Sequence, residues 1–186
     1  MGWIIGGVIA LVVILLVAWF VSGYNSFVRL RNKTEEAYSS MDVYLKKRYD
    51  LIPNLVETVK GYASHEKEAL ERVVAARNSA VSAQDAAERI QKDNMLQSAL
   101  RSLFALSEAY PDLKANASFL DLQAQLRNVE DDIEKSRRFY NGIVNQYNTK
   151  TETFPSNLIA SLFHFGRKPL YEADDAAERN TVKVQF

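Results

Sequence analysis

An uncharged stretch of 20 residues, from Trp3 to Ser22, constrains the fold of this chain more than any other feature. As a helix rising about 1.5 Å per residue it is about 30 Å long, the thickness of a bilayer's hydrocarbon core. A cleaved signal peptide is the alternative, but the apolar region is long for one and no lysine or arginine precedes it. The sequence therefore predicts a retained single-pass anchor over residues 1–23, with the lipid bilayer as its partner.

The cations that flank this span predict its orientation. Arg29, Arg31 and Lys33 follow the span, whereas only the α-amino group precedes it. Because cytoplasmic flanks carry the excess of lysine and arginine, the C-terminal part is expected in the cytoplasm. Three charges are a modest bias, and the opposite topology, with that part on the periplasmic or extracellular side, stays open.

Small residues recur along one side of the span, at Gly2, Gly6 and Ala10. A spacing of four places them on one helical face, where two membrane helices can approach each other closely. Glycine is also frequent in membrane helices in general, and this explains the spacing equally well. The seam of small residues is therefore a candidate site of homo-oligomerisation.

The composition excludes several classes of function. The chain has no cysteine, which rules out disulfides, thiolate catalysis and cysteine-based metal sites. Lysine plus arginine count 23 and aspartate plus glutamate count 23, so the net charge is zero and no nucleic-acid partner is indicated. Phosphate-binding loops and nucleophile elbows are also absent from the sequence. No catalytic residue, cofactor or enzymatic activity is therefore predicted.

Beyond the anchor, apolar residues recur at intervals of three, four and seven, which is the period of a helix. The pattern predicts one helix from about Tyr24 to Ala76, bent at Pro53, where the proline removes the hydrogen bond to the carbonyl of Tyr49. The alternative is a new helix with Asp50 as its N-cap. The positions predicted to be buried are Met41, Leu45, Ile52, Leu55, Val59, Ala63, Leu70 and Val73.

Two further long helices are predicted. The first runs from about Asp85 to Ala109, and Pro111 and Asn116 then provide a turn and a cap. The second repeats apolar residues at threes and fours over four heptads, the spacing of a coiled-coil seam. Its seam consists of Phe119, Leu122, Leu126, Val129, Ile133, Ser136, Tyr140, Ile143 and Tyr147.

Together these segments predict an all-α protein, in which a transmembrane helix precedes an antiparallel three- to four-helix bundle. The bundle is expected over residues 24–153, a short apolar helix over residues 154–166 and an extended tail over residues 167–186. The short helix cannot span a membrane, and either packs on the end of the bundle or lies in the lipid interface. The long first helix carries an apolar stripe that must pair with the returning helix and tail or with other subunits, which favours self-assembly: Phe27, Leu30, Ala37 and Met41.

Arg48 occupies a position where the helical pattern predicts an apolar residue. A buried pair between Arg48 and a carboxylate of the acidic run at residues 130–135 would fix helix register. Solvated helix faces are the simpler interpretation, with less than about 1 kcal/mol for each ion pair. Arg48 and Asp50 are also candidates for holding the bend at Pro53.

His65 lies beside carboxylates, but no second histidine shares its face, and no metal site is predicted.

Tyr147 and Asn148 end the third long helix. If that helix returns toward the membrane, they lie near Tyr24 and Asn25, and tyrosine suits a membrane interface because its ring is apolar and its hydroxyl polar. Core packing with an amide cap explains the pair equally well.

Motifs in a fixed order resemble the bacterial LemA family: "DLIPNL", "KGYASHE", "YPDLKAN", "YNGIVNQYN" and, at the end, "VKVQF". The resemblance covers the chain from about Tyr24 to Phe165. It implies a single-pass protein of the bacterial inner membrane with an antiparallel helical bundle, and it brings no established activity.

Two functions are consistent with these patterns. The first is a non-enzymatic, membrane-anchored bundle that self-assembles into an oligomeric scaffold on the membrane surface. The alternative is an adaptor that docks an unknown protein partner through the bundle face or the C-terminal tail.

Overall fold

The structure, a computed structural model, describes residues 1–171 and is helical through most of that range, with no strand in it. This confirms the all-α class with a very long first helix. The six helices in this range are α1 (Gly2–Lys60), α2 (Lys67–Val81), α3 (Ala86–Ser107), α4 (Pro111–Lys114), α5 (Ala117–Glu152) and α6 (Ser156–Leu162).

Helix α1 contains both the apolar span and the amphipathic segment after it. Its 59 residues run without interruption through the boundary at Ser22, and this is the one helix among the described residues that is long and apolar enough to cross a membrane. The sequence predicted a helix that continues to Ala76, which is wrong, because α1 ends at Lys60 and α2 begins at Lys67. The break follows from Gly61, since glycine is a poor helix former and begins the turn between them.

Pro53 lies inside α1 and does not end it. The alternative of a new helix capped by Asp50 is therefore wrong, because Asp50 itself is helical. All eight apolar positions predicted to be buried, from Met41 to Val73, are buried. The apolar face thus keeps its register through Pro53, as the helical period indicated.

Side-chain caps begin two of the helices, and the one at Asn116 was predicted from the sequence. The Asp85 carboxylate accepts a hydrogen bond of 2.8 Å from the Glu88 backbone N–H and caps α3. Asn116 likewise accepts a bond of 2.9 Å from the Phe119 backbone N–H at the start of α5. Both bonds satisfy a donor that a helix N-terminus leaves without a partner.

The helices form two compact units. The first comprises Met1–Met41 and Ser136–Leu170, and the second comprises Asp42–Lys135 and the segment that begins at Tyr171. In the first unit, Phe27 contacts Tyr147 and Tyr38 contacts Tyr140, so residue numbers rise along α1 while they fall along α5. These two helices are therefore antiparallel there.

The first unit contradicts one step in the argument for self-assembly. Phe27, Ala37 and Met41 are buried, and Leu30 is half-buried, within a single chain. The stripe that the sequence left unpaired is thus covered by α5, α6 and the segment after α6. It no longer requires a second subunit.

The second unit packs α1, α2, α3 and α5 around one core. Its largest wholly buried apolar side chains come from α1, α3, α4 and α5: Leu45, Ile52, Leu55, Leu96, Leu103, Leu113, Phe119 and Leu126. On α5 the predicted seam holds except at Ser136 and Ile143, which are half-buried, while Val144 is buried in place of Ile143. The predicted terminal strand, residues 181–186, and most of the tail lie outside the described residues.

Candidate functional site

A buried polar cluster in the second unit is the candidate site. We call Arg48, Tyr49, Asp93, Glu130 and Tyr171 the Arg48 cluster. Arg48 on α1 is 1% exposed and pairs with Asp93 on α3 and Glu130 on α5. Its Nη1 donates to both Glu130 carboxylate oxygens, at 2.8 and 3.0 Å, and its Nη2 donates to Asp93 Oδ1. The guanidinium thus connects three helices.

Asp93 accepts hydrogen bonds from three side chains. Besides Arg48, the Tyr49 hydroxyl donates to Asp93 Oδ1 at 3.0 Å, and the Tyr171 hydroxyl donates to Asp93 Oδ2. Asp93 is 2% exposed, and a carboxylate so far from water is stable only when paired with opposite charge and donors. Because Tyr171 follows α6, the same carboxylate also holds the start of the C-terminal segment against α1 and α3.

The pKa values of Arg48, Tyr49 and Tyr171 move away from neutrality. Burial raises the pKa of the Tyr49 and Tyr171 hydroxyls well above the ordinary 10.0, and the negative charge of Asp93 raises both further. Burial alone would lower the pKa of Arg48, but Asp93 and Glu130 outweigh it and raise that pKa. General acid–base groups have pKa values near the working pH. The arrangement is therefore suited to holding helices together rather than to transferring protons.

The raised pKa values of Tyr49 and Tyr171 predict how the free energy of unfolding depends on pH. Their folded-state pKa values lie above the unfolded value of 10.0, so their contribution to stability is present below about pH 10 and is lost as the pH rises further. In urea unfolding in detergent, followed by circular dichroism, the Tyr49→Phe variant should lose stability less steeply above pH 10. The difference should approach about 1.4 kcal/mol for each pH unit.

The exposed Tyr62 supplies the control for this titration, because it is 44% exposed and lies outside the cluster. Tyr62→Phe should follow the parent chain across the same pH range. Equal slopes for Tyr49→Phe and Tyr62→Phe would contradict the assignment.

Pro53 and Asp50 lie on the exposed side of α1. Because proline has no N–H, the Tyr49 carbonyl lacks its partner within the helix. Arg77 on α2 supplies one, since its Nε donates to the Tyr49 carbonyl oxygen at 3.2 Å. Asp50 makes no ion pair within the described part of the chain. The missing N–H of Pro53 therefore leaves the Tyr49 carbonyl available to accept a hydrogen bond from α2.

A second cluster lies in the first unit. We call Phe20, Tyr24, Phe27, Tyr147, Phe163 and Phe165 the aromatic cluster. Phe27 is wholly buried and stacks on Phe165, with centroids 4.9 Å apart and an interplanar angle of 11°. The Tyr147 ring meets Phe27 edge-on at 6.2 Å. Tyr147 thus packs in a core, with 2% of its surface exposed.

Asn148 holds the chain after α6 by both atoms of its amide. Its Nδ2 donates to the Lys168 carbonyl at 2.9 Å, and its Oδ1 accepts from the Lys168 backbone N–H at 2.9 Å. The side chain is buried, and both its nitrogen and its oxygen are bonded. Asn148 thus acts as a clamp on the backbone after α6, a role that neither interpretation of the sequence specified.

The remaining predicted residues lie outside both clusters. Gly2, Gly6 and Ala10 lie on the exposed anchor part of α1. His65 is exposed in the turn between α1 and α2, and no group of three potential metal ligands occurs among residues 1–171. The structure brings Arg48 together with partners, and it does not bring the glycines or His65 to either cluster.

Asp93 and Tyr171 were not predicted from the sequence. Asp93 had a detectable signal, because it occupies the apolar face of α3 between Ile90 and Leu96, as Arg48 does on α1. An acid on one seam and a base on another indicate a buried pair. Tyr171 lies in a non-helical segment, where no period applies.

Comparison with known proteins agrees with this architecture. The sequence profile of the LemA family matches residues 37–186. Protein LemA of Metamycoplasma hominis is 25% identical over 157 residues, covering 84% of this chain and 72% of the relative. Magnetosome protein MamQ 2 of Paramagnetospirillum magneticum is 23% identical over 200 residues, covering 94% and 74%. Magnetosome protein MamQ of Magnetospirillum gryphiswaldense is 22% identical over 189 residues, covering 88% and 70%. The chain belongs to the LemA family.

Proposed function

We propose that the chain is a non-enzymatic membrane scaffold that associates with copies of itself through its anchor. The observation that carries the proposal is the surface of α1 between Gly2 and Ala10. It is exposed throughout, and no atom of the described residues lies within 4 Å of the position that a Cβ would take at Gly2 or Gly6. Small residues on such a surface let a second membrane helix approach closely enough for backbone contact.

Two further observations support a scaffold. The Arg48 cluster pairs both Nη atoms of Arg48 and both carboxylate oxygens of Asp93 within itself, and the pKa values of Arg48 and Tyr49 are shifted away from neutrality, which supports a structural use of its charges. The basic residues Arg29, Arg31 and Lys33 follow the anchor directly, and the positive-inside rule then supports a cytoplasmic bundle. A reporter fused to the C-terminus tests that side of the membrane.

Substitution of Gly6 tests the seam. Gly6→Ile should weaken association between anchors by about 10-fold, or about 1.4 kcal/mol, because its branched side chain keeps the helices apart. Energy transfer between labelled chains, measured while the lipid-to-protein ratio is raised in liposomes, reports the change. Gly7→Ile is the matched control, because Gly7 is adjacent but is turned about 100° around the helix from Gly6, and it should associate like the parent.

Equal weakening by both variants, or a parent chain that stays monomeric, would refute assembly through the seam. A monomeric parent would favour the second candidate, an adaptor for one partner protein. The observation in its favour is a groove between α2 and α3 whose walls are short side chains such as Ala75, Ser79, Ala99 and Ser102. Such walls would admit the backbone of a partner helix.

A further inference from the structure

Helix α6 packs one face tightly against α1. Ile159 and Ala160 on that face are buried beside Phe27 and Tyr147. The two helices meet at Gly23, where a Cβ would collide with the Ile159 Cδ1 atom. Since any side chain at this position would force Ile159 to move, the glycine allows the two helices to lie in direct contact.

The aromatic cluster fixes which turn of α1 is contacted by the buried face of α6. The Phe163 ring lies 5.8 Å from Phe20 and 4.7 Å from Tyr24, measured between centroids. Phe20 belongs to the uncharged span, and Tyr24 follows it by half a turn. The position of α6 is therefore tied to the end of the membrane-spanning segment, which is where the hydrocarbon core gives way to headgroups.

The opposite face of α6, together with Phe154 just before the helix, is apolar, and no residue of the range 1–171 covers it. Phe154 is 79% exposed, Leu158 59% and Leu162 62%. With seven residues, α6 is about 10 Å long and cannot cross a bilayer. Exposed apolar side chains in such a group indicate an interaction surface.

Basic residues lie close to the same level of the chain. Arg29, Arg31 and Lys33 are exposed one to three turns beyond Tyr24, and no acidic residue intervenes between Tyr24 and Lys33. Arg167 follows α6 and bridges to Glu152 at 2.7 Å. An apolar face bordered by cations is the combination that binds the surface of an anionic bilayer.

We propose that α6 is an interfacial helix that inserts Leu158 and Leu162 into the same leaflet in which the anchor ends. Its partner is the phospholipid bilayer that already holds α1. Continuity with the anchor favours this occupant over a second protein, because α6 packs on Phe20, a residue of the span itself. The protein then contacts the membrane at two places, by a spanning helix and by a helix lying on the surface.

The absence of cysteine makes the test simple. A cysteine is introduced by Leu158→Cys or Leu162→Cys in the full chain, labelled with an environment-sensitive dye and placed in nanodiscs of phosphatidylcholine and phosphatidylglycerol. Each disc holds one chain, so self-association through the anchor does not enter. Ser39→Cys, which is also an exposed site and lies about 25 Å along α1 from Ser22, is the control.

We expect doxyl-labelled lipid to quench the dye at either α6 site about 5-fold more than at Ser39, and aqueous iodide to show the reverse order. Quenching by iodide that equals the Ser39 value would overturn the proposal. Protection from both quenchers would also overturn it, because a protein surface rather than lipid would then cover α6. Each outcome is independent of the Gly6 result.

Discussion

Replacement of Asp93 by alanine is expected to destabilise the helical bundle by about 3 to 5 kcal/mol. The substitution removes the carboxylate that accepts bonds from Arg48, Tyr49 and Tyr171. It removes the Asp93 acceptor from two buried hydroxyls and leaves the buried guanidinium paired with Glu130. Arg48 Nε already has no hydrogen-bond partner within the described residues, so the remaining charge would be poorly compensated.

The measurement is equilibrium urea unfolding in detergent, followed by circular dichroism. Asp131→Ala is the matched control, because Asp131 is an exposed carboxylate on the neighbouring α5, and it should cost less than about 0.5 kcal/mol. A loss for Asp93→Ala as small as that of the control would contradict the role of the Arg48 cluster.

A double-mutant cycle separates the pair from the rest of the cluster. Arg48→Met should also destabilise, because it leaves Asp93 buried without its positive partner. The double variant Arg48→Met/Asp93→Ala should cost less than the sum of the single changes by about 2 kcal/mol or more. Additive losses would show that Arg48 and Asp93 stabilise the fold independently. They would also remove the argument that this pair fixes helix register.

Replacement of Phe27 by alanine is expected to destabilise the first unit by about 3 to 5 kcal/mol. Phe27 is wholly buried, stacks on Phe165 and meets Tyr147 edge-on, so its removal leaves a cavity between α1, α5 and the segment after α6. The stacked and edge-on pairs add about 0.5 to 1.5 kcal/mol each beyond the burial of area.

Hydrogen exchange measured by mass spectrometry locates this loss. The backbone N–H groups of Phe163 and Phe165, which bond the Ile159 and Ala160 carbonyls, should exchange faster in Phe27→Ala. Phe139→Ala is the control, because Phe139 is also aromatic but is 61% exposed, and its exchange pattern should match the parent. Unchanged protection of α6 in Phe27→Ala would show that the aromatic cluster does not hold it.

Periodic positions made most of the fold predictable. Spacing and local chemistry predict the helical class, the apolar faces of α1 and α2, most of the seam of α5 and the cap at Asn116. The end of α1 was misplaced, because the apolar period continues through the turn after Lys60 and Ala63 is buried within that turn. Apolar periodicity alone does not distinguish a continuing helix from a turn whose apolar residues still face the core.

The candidate site was only partly predictable. Arg48 was recognised because a charge interrupts an apolar seam, and Glu130 lies in the acidic run suggested as its partner. The sequence does not show that Asp93 also pairs with Arg48, because this depends on how α3 is rotated about its axis. The packing of the whole core sets that rotation. The hydrogen bond from Arg77 to the Tyr49 carbonyl could not be predicted either. Pro53 indicates that this carbonyl lacks its helical partner, but it does not indicate which side chain donates to it instead.

The clamp at Asn148 has a consequence for which substitutions this part of the chain can accept. Both of its bonds go to backbone atoms of Lys168, and every residue except proline offers the same N–H and C=O. Position 168 can therefore vary in side chain while the path of the segment is kept. Position 148 has no such latitude, since aspartate lacks the donor and glutamine is longer by one methylene. Among relatives of this chain, we expect variation to concentrate on the clamped residue and constancy on the residue that clamps it.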